Sequence, residues 1–259
     1  MTTRLLLAIL ILFAPLQVQD SHARVLYFLN KPGADPVGRD AFLDRVDKGR
    51  EAAVAAGESG GYLRLSLVHP SSAEAGHVRM AIHFSAGGPT FETTHTKSFF
   101  AATGWNEQTY TEQSMRYNQP AVKVEMWRRR VNLGSIAKGD YVRFAFLKFK
   151  PGMRDDFLEA IPGNSAVLRQ VLTSGGPIKA YWLITTLFPG ESATYDAIAI
   201  FAYATEADVF KSFPAQGDMF QRAFPSANFQ SHLEANRRNA TTRTQEIFRV
   251  GSAFWRSLR

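Results

Sequence analysis

The chain has 259 residues, 45% of them apolar and 20% charged, with twenty phenylalanines and a formal net charge of +7. This balance belongs to a folded globular protein and excludes a disordered or fibrous one. The absence of cysteine removes disulfides, thiolate nucleophiles and cysteine-held metals from consideration.

The first residues read as a secretory leader. Arg4 supplies a positive charge, Leu5 to Leu16 form an apolar stretch, and Ser21-His22-Ala23 place small residues at the −3 and −1 positions of a cleavage site. The stretch is shorter than the ~18 residues a spanning helix needs. Residues 1–23 are therefore expected to be removed and the protein to be exported, periplasmic or secreted, with no integral membrane segment left. Removal takes one arginine and one aspartate, so the charge stays at +7.

Beyond the leader the chain says nearly the same thing twice. Leu29-Asn30-Lys31-Pro32-Gly33 returns as Lys148-Phe149-Lys150-Pro151-Gly152. Phe42-Leu43 to Ser59-Gly60-Gly61 returns at unchanged spacing as Phe157-Leu158 to Ser174-Gly175-Gly176, and Lys97 to Ala101 returns as Lys211 to Ala215. An internal repeat decides architecture before local propensity does. It divides the chain into units at 24–134 and 139–259.

Each unit reads as strand, helix, strand, strand, helix, strand. In the first, Val25–Asn30 is a strand, and Phe42, Leu43, Val46, Ala53 and Val54 have helical spacing. Gly57 to Gly61 end that helix. Tyr62–His69 and Val78–Ser85 alternate as strands across a small-residue turn. A mainly helical stretch, 91–118, leads to the strand Val122–Val131. In the second unit Tyr141–Phe149 is a strand and Arg154–Thr173 a helix broken at Pro162-Gly163. Ile178–Leu187 and Ala197–Tyr203 make a hairpin around Phe188-Pro189-Gly190-Glu191. Residues 206–238 are helical with breaks at Pro214 and Pro225, and Thr244–Phe254 closes the unit.

Two βαββαβ units in tandem resemble the dimeric α/β-barrel superfamily, which includes antibiotic-biosynthesis-type monooxygenases, stress-responsive barrel proteins, EthD-like proteins and chlorite dismutase relatives. The resemblance spans residues 24–259 and rests on element order. It implies an α+β fold of two fused ferredoxin-like units packed as a pseudo-dimeric barrel, either a monomer with this internal pseudo-dimer or a homo-oligomer.

Strand parity sorts each hairpin into two faces. Leu63, Leu65, Leu67, Met80, Ile82 and Phe84 are one face of the first hairpin, and Ile178, Ala180, Trp182, Ile184, Ile198 and Ile200 are their counterparts. These apolar sets are expected beneath the helices. The opposite faces carry Arg64, Ser66, Arg79 and His83 in the first unit and Lys179, Tyr181, Phe201 and Tyr203 in the second. In the repeat, Ser66 falls on Tyr181 and His83 on Phe201. If these faces meet, they enclose a ligand site between the sheets that is cationic on one wall and aromatic on the other. Guanidinium forks take carboxylates or phosphates, and rings take planar apolar groups. The expected partner is a small anionic or aromatic molecule.

His83 is the candidate catalytic base, held neutral by neighbouring cations. A cofactorless monooxygenase- or isomerase-like enzyme using it is the alternative to simple binding. His69, His77 and His95 lack the spacing of a metal motif, and no metal site is expected. Glu92 and His95 could pair on one helix face. Haem occurs in some members of the superfamily, usually on a histidine of the second unit, where this chain has His232; no cofactor is expected here. Gly-x-Ser-x-Gly, the P-loop and Gly-x-Gly-x-x-Gly are absent, and Ser59-Gly60-Gly61 is a helix stop because Ser174-Gly175-Gly176 repeats it. Basic groups at 128–130, 237–238, 256 and 259 allow a third class, a non-catalytic interaction or stress protein with a basic surface. Nucleic acid is not expected as a partner, since none of its recognition motifs occurs.

Overall fold

A computed structural model describes residues 21–69, 79–85, 95–119, 121, 123–187 and 194–256. The leader's apolar stretch, His77, Glu92 and both hairpin turns lie outside them. The elements run β1 (Ser21–Phe28), α1 (Pro36–Ala55), β2 (Gly61–His69), β3 (Arg79–Phe84), α2 (Lys97–Thr103), α3 (Glu107–Tyr117) and β4 (Lys123–Leu133). The same order follows as β5 (Tyr141–Phe149), α4 (Arg154–Thr173), β6 (Ile178–Thr186), β7 (Ala197–Tyr203), α5 (Glu206–Ala223), α6 (Phe229–Asn239) and β8 (Ala240–Trp255).

Local chemistry accounts for most of the boundaries. Asp35 caps α1 by accepting from the Val37 and Gly38 amides, with Pro36 in the first turn. Thr96, Asn106, Thr205 and Asn228 cap α2, α3, α5 and α6 in the same way. Gly104 takes φ +65° where α2 ends, a left-handed conformation that glycine adopts without penalty. Two expectations fail. The helix α4 continues through Pro162, and α5 continues through Pro214. Each proline removes one amide donor, and helical hydrogen bonding resumes beyond it.

The eight strands form one closed antiparallel barrel in the order β1-β3-β2-β8-β5-β7-β6-β4. Each half contributes four neighbours, and the halves join edge to edge through β2–β8 and β4–β6. The long strand β8 pairs with β5 over Ala240–Arg249 and with β2 over Ile247–Trp255. The strand β4 likewise pairs with β1 and then with β6. Both stitches carry a register shift, at Arg129/Val131 in β4 and at two points along β2–β8. Such shifts bend and twist a strand, as barrel closure requires.

The expected faces are therefore inverted. Parity sorts the residues as foreseen except at Ile178, which a register shift before Ala180 turns outward to pack with Tyr203. But Leu63, Leu65, Met80, Ile82, Phe84, Ala180, Trp182, Ile184 and Ile198 point into the barrel. They pack there with Val25, Trp127, Phe144, Phe146 and Phe248. Edge-to-edge pairing brings the two apolar faces together and turns the polar faces outward, under the helices. A site between the sheets is thus excluded, because that space is the core. Arg129, counted above in a basic surface cluster, also points inward. Its guanidinium lies 4.9 Å from the Phe84 ring and 5.6 Å from Trp182, and burial lowers its pKa to about 10.

The helices seat differently on the two halves. Along α1, Phe42, Leu43, Val46, Asp47, Gly49, Arg50, Ala53 and Val54 are buried, whereas in α4 only Ser165 and Val171 are. Gly49 permits the close seating of α1, since a Cβ there would lie within 2.6 Å of two Phe99 ring carbons and 2.8 Å from Thr103 Cγ2. Alanine is intrinsically the better helix former by ~1 kcal/mol, yet overpacking costs about 1–3 kcal/mol. Gly49→Ala should therefore lower stability in urea unfolding; a gain would show that α1 can lift from α2 at no cost.

Candidate functional site

Two cavities lie between the barrel wall and its helices, one on each half. The smaller, about 50 Å³, is bounded by α1, α3, β2 and β3. Arg64, Arg79 and His83 line it, with Arg50, Tyr62 and Asn118. Tyr62 and His83 are a cross-strand pair with ring centroids 5.0 Å apart. The Arg50 guanidinium stacks over Phe99 at 4.6 Å and stands 5.7 Å from the Tyr62 centroid.

The three arginines differ in how they are paired. Arg64 forks onto Asp47, with its Nη2 2.6 Å from Oδ2 and its Nε 3.1 Å from Oδ1. Ser252 donates to the same carboxylate at 2.8 Å. Arg79 donates to two neutral amide oxygens, those of Asn30 and Asn118, and its pKa falls to about 10 through burial, with Arg39 and Arg64 adding to the fall. Arg50 lies near Tyr110, whose hydroxyl favours its charged form, while its Nε is buried with no partner among the described residues. Burial lowers its pKa too.

His83 is 8% exposed, and its pKa lies well below the usual imidazole value. Burial is the main cause, followed by Arg50, His95 and Arg24. The flanking cations are thus not the Arg64 and Arg79 that the strand pattern offered. His95 packs on Tyr110 at 3.9 Å and is lowered to about 3, again first by burial and then by Arg50 and Arg24.

The larger cavity, about 690 Å³, lies between α4, α5, α6 and the wall formed by β5, β6 and β7. Its floor includes the small side chains Ala145 and Ala199, which leave room that bulkier residues would fill. Tyr181 and Phe201, another cross-strand pair 5.0 Å apart, line it with Phe157, Leu168, Phe220 and Phe229. Its polar residues include Arg143, Lys150, Gln245, His232 and Arg237. Arg143 stacks over Phe201 at 4.7 Å and bonds Tyr203. The His232 ring lies on Phe220 at 5.1 Å, and burial lowers its pKa.

The predicted site is thereby split. Arg64, Arg79 and His83 share the small cavity, and Tyr181 and Phe201 share the large one. Ser66, opposite Arg79 on β2, lines neither. Lys179 pairs with Asp140 through both carboxylate oxygens at 2.9 Å. Tyr203 is fully buried against Ile178, Val209 and Met219. The structural counterpart of Tyr181 is Tyr62, not Ser66: Tyr62 faces His83 as Tyr181 faces Phe201. Sequence reasoning missed Arg50, although it stands one helical turn beyond Val46 on the same apolar stripe, and it missed Arg143 in β5. Among the described residues no group of histidines and carboxylates could hold a metal ion, and no helix is long and apolar enough to cross a membrane.

No family model and no curated protein matches the chain. Solved structures do. A candidate monooxygenase from Fusobacterium nucleatum matches 92% of this chain and 95% of its own, with 11% identity and a TM-score of 0.53. An anthrone oxidase-like protein matches 93% and 95%, with 13% identity and a TM-score of 0.52. A heme-binding protein from Thermus thermophilus matches 89% and 91%, with 10% identity and a TM-score of 0.48. At such identities the first two likenesses show the fold: an α+β protein with an eight-stranded antiparallel sheet, similar to the dimeric α/β-barrel proteins.

The buried histidines set an acid limit on stability. A histidine whose folded pKa is depressed binds its proton more readily when unfolded. Stability is then full above the unfolded value, about 6.5, and falls as pH drops below it. Melting temperature should decline between pH 7 and 5, and His83→Gln should flatten that decline. An equal slope in the variant would place the acid sensitivity elsewhere.

Proposed function

We propose that the protein binds a small ring-bearing molecule with an acidic group in the cavity beneath α4, α5 and α6. The observation that carries this reading is the lining itself: Phe157, Tyr181, Phe201, Phe220 and Phe229 offer aromatic surface, while Arg143, Lys150 and Arg237 offer positive charge. A volume of about 690 Å³ falls within the ~300–1,000 Å³ of small-molecule sites. The ligand class is the one the strand pattern implied; its place is the outside of the barrel wall.

Titration with fused-ring carboxylic acids tests this. A true ligand at a hundredfold excess over its Kd adds about 2.7 kcal/mol to stability. Leu168→Trp should fill the cavity and weaken binding at least tenfold, and Arg143→Met should weaken the acid more than its uncharged amide. No saturable response to any such acid, or binding unaffected by Leu168→Trp, would refute the site. His232 adds one arm to the titration. It is the only histidine among the described lining residues, and a neutral imidazole is the form that ligates iron. Haem binding with a Soret band altered in His232→Ala would show that the cavity takes a metalloporphyrin instead.

The enzymatic alternative rests on a different observation, the neutral His83 beside Arg50. Its substrate would have to suit the smaller cavity. We also propose export, from the apolar run ahead of β1, and a tandem origin for the two halves, from the repeated element order. Cleavage after Ala23 would leave β1 to begin at Arg24, although Ala23 is buried and pairs with Phe84 and Trp127. Fractionation of cells making the full chain, with mass analysis, should find a mature N-terminus at or shortly before Arg24 outside the cytoplasm. An unprocessed cytoplasmic chain would overturn it.

A further inference from the structure

The smaller cavity holds more positive charge than the described residues around it pair with carboxylates. Three guanidinium groups line it, from Arg50, Arg64 and Arg79. Among the described residues only Arg64 has a carboxylate in hydrogen-bond contact, that of Asp47. Arg79 is satisfied by neutral amides. Arg50 is 5% exposed, and its strongest neighbours are Tyr110, Tyr62 and Arg24, with no ion pair to a carboxylate among the described residues. An uncompensated charge in a buried position costs several kcal/mol, and the Arg50 Nε lacks a partner among the described residues.

Size narrows what could supply the missing charge. One water occupies about 10–15 Å³ of this kind of space, so about 50 Å³ has room for a few waters or one small anion. Rings wall the space on several sides: Phe42, Tyr62 and Tyr110 are among its lining residues. Guanidinium groups match planar oxyanions through paired N–H donors. We propose that this cavity is a binding site for a small planar oxyanion of formate, nitrate or bicarbonate size, held chiefly by Arg50 and Arg79. The site is separate from the larger cavity and does not depend on the ligand proposed there.

The test uses the whole folded chain at constant ionic strength, with sodium formate and sodium nitrate as probes and sodium benzoate as a bulky carboxylate. A saturable rise in melting temperature of about 5–10 °C is expected at a hundredfold excess of formate or nitrate over Kd. Arg50→Gln should abolish the rise, yet melt no lower than the parent without anion, since it removes a buried uncompensated charge. Leu168→Trp should leave the rise intact, which separates this site from the larger one. The proposal is overturned if neither small anion acts, if benzoate alone acts, or if Arg50→Gln responds like the parent. Should Arg50→Gln fail to fold, Arg50→Lys decides: a Kd raised about tenfold supports the site, and an unchanged Kd overturns it.

Discussion

Closure of the barrel governs everything else in this molecule. Once β2 pairs with β8 and β4 with β6, no strand edge in the described sheet is left open, and the inner faces of both halves must share one enclosed space. That space has to be filled without gaps, and Trp127, Phe144, Phe146, Trp182 and Phe248 fill it. A ligand has no place there. The outer faces, which a solitary sheet could leave to solvent, become the floors beneath the helices, and both cavities described above lie between floor and helix.

The two floors then diverge because the helices above them seat differently. Against the first half, α1 packs its glycine on Phe99 of α2 and buries most of its inner stripe, and what remains is a small, charged space. Against the second, α4 keeps most of its apolar stripe half-buried over Ala145 and Ala199, and the space is large and mostly aromatic. One architecture thus carries two chemically unlike compartments.

Much of this was legible from the sequence. The strands Tyr141–Phe149 and Ala197–Tyr203 match their expected bounds, as do the two ends of the helix Arg154–Thr173, because turn and cap residues mark those boundaries. Parity correctly grouped Arg64, Arg79 and His83 on one face. What parity cannot supply is which face looks inward, for that depends on whether two sheets stack or join at their edges. The usual rule that apolar faces meet helices failed, since here they meet each other. Arg50 escaped notice for a similar reason: a buried arginine on an apolar stripe reads as an interruption until the rings of Tyr62 and Phe99 are seen around it. Pro162 and Pro214 misled in the opposite direction, because the helices lose only a local hydrogen bond to each.

The long strands β4 and β8 each begin their pairing in one half and finish it in the other. Neither half therefore possesses a complete sheet, and each is the folding partner of its neighbour. In an ordinary symmetric dimer such mutual dependence comes with dilution: the partners separate at low concentration, and both copies must remain identical. Carried on one chain, the same dependence is immune to dilution. Each half is free to take a different sequence on its outer face while the shared interior holds them in register, so an imidazole opposite Tyr62 can answer to a phenyl ring opposite Tyr181.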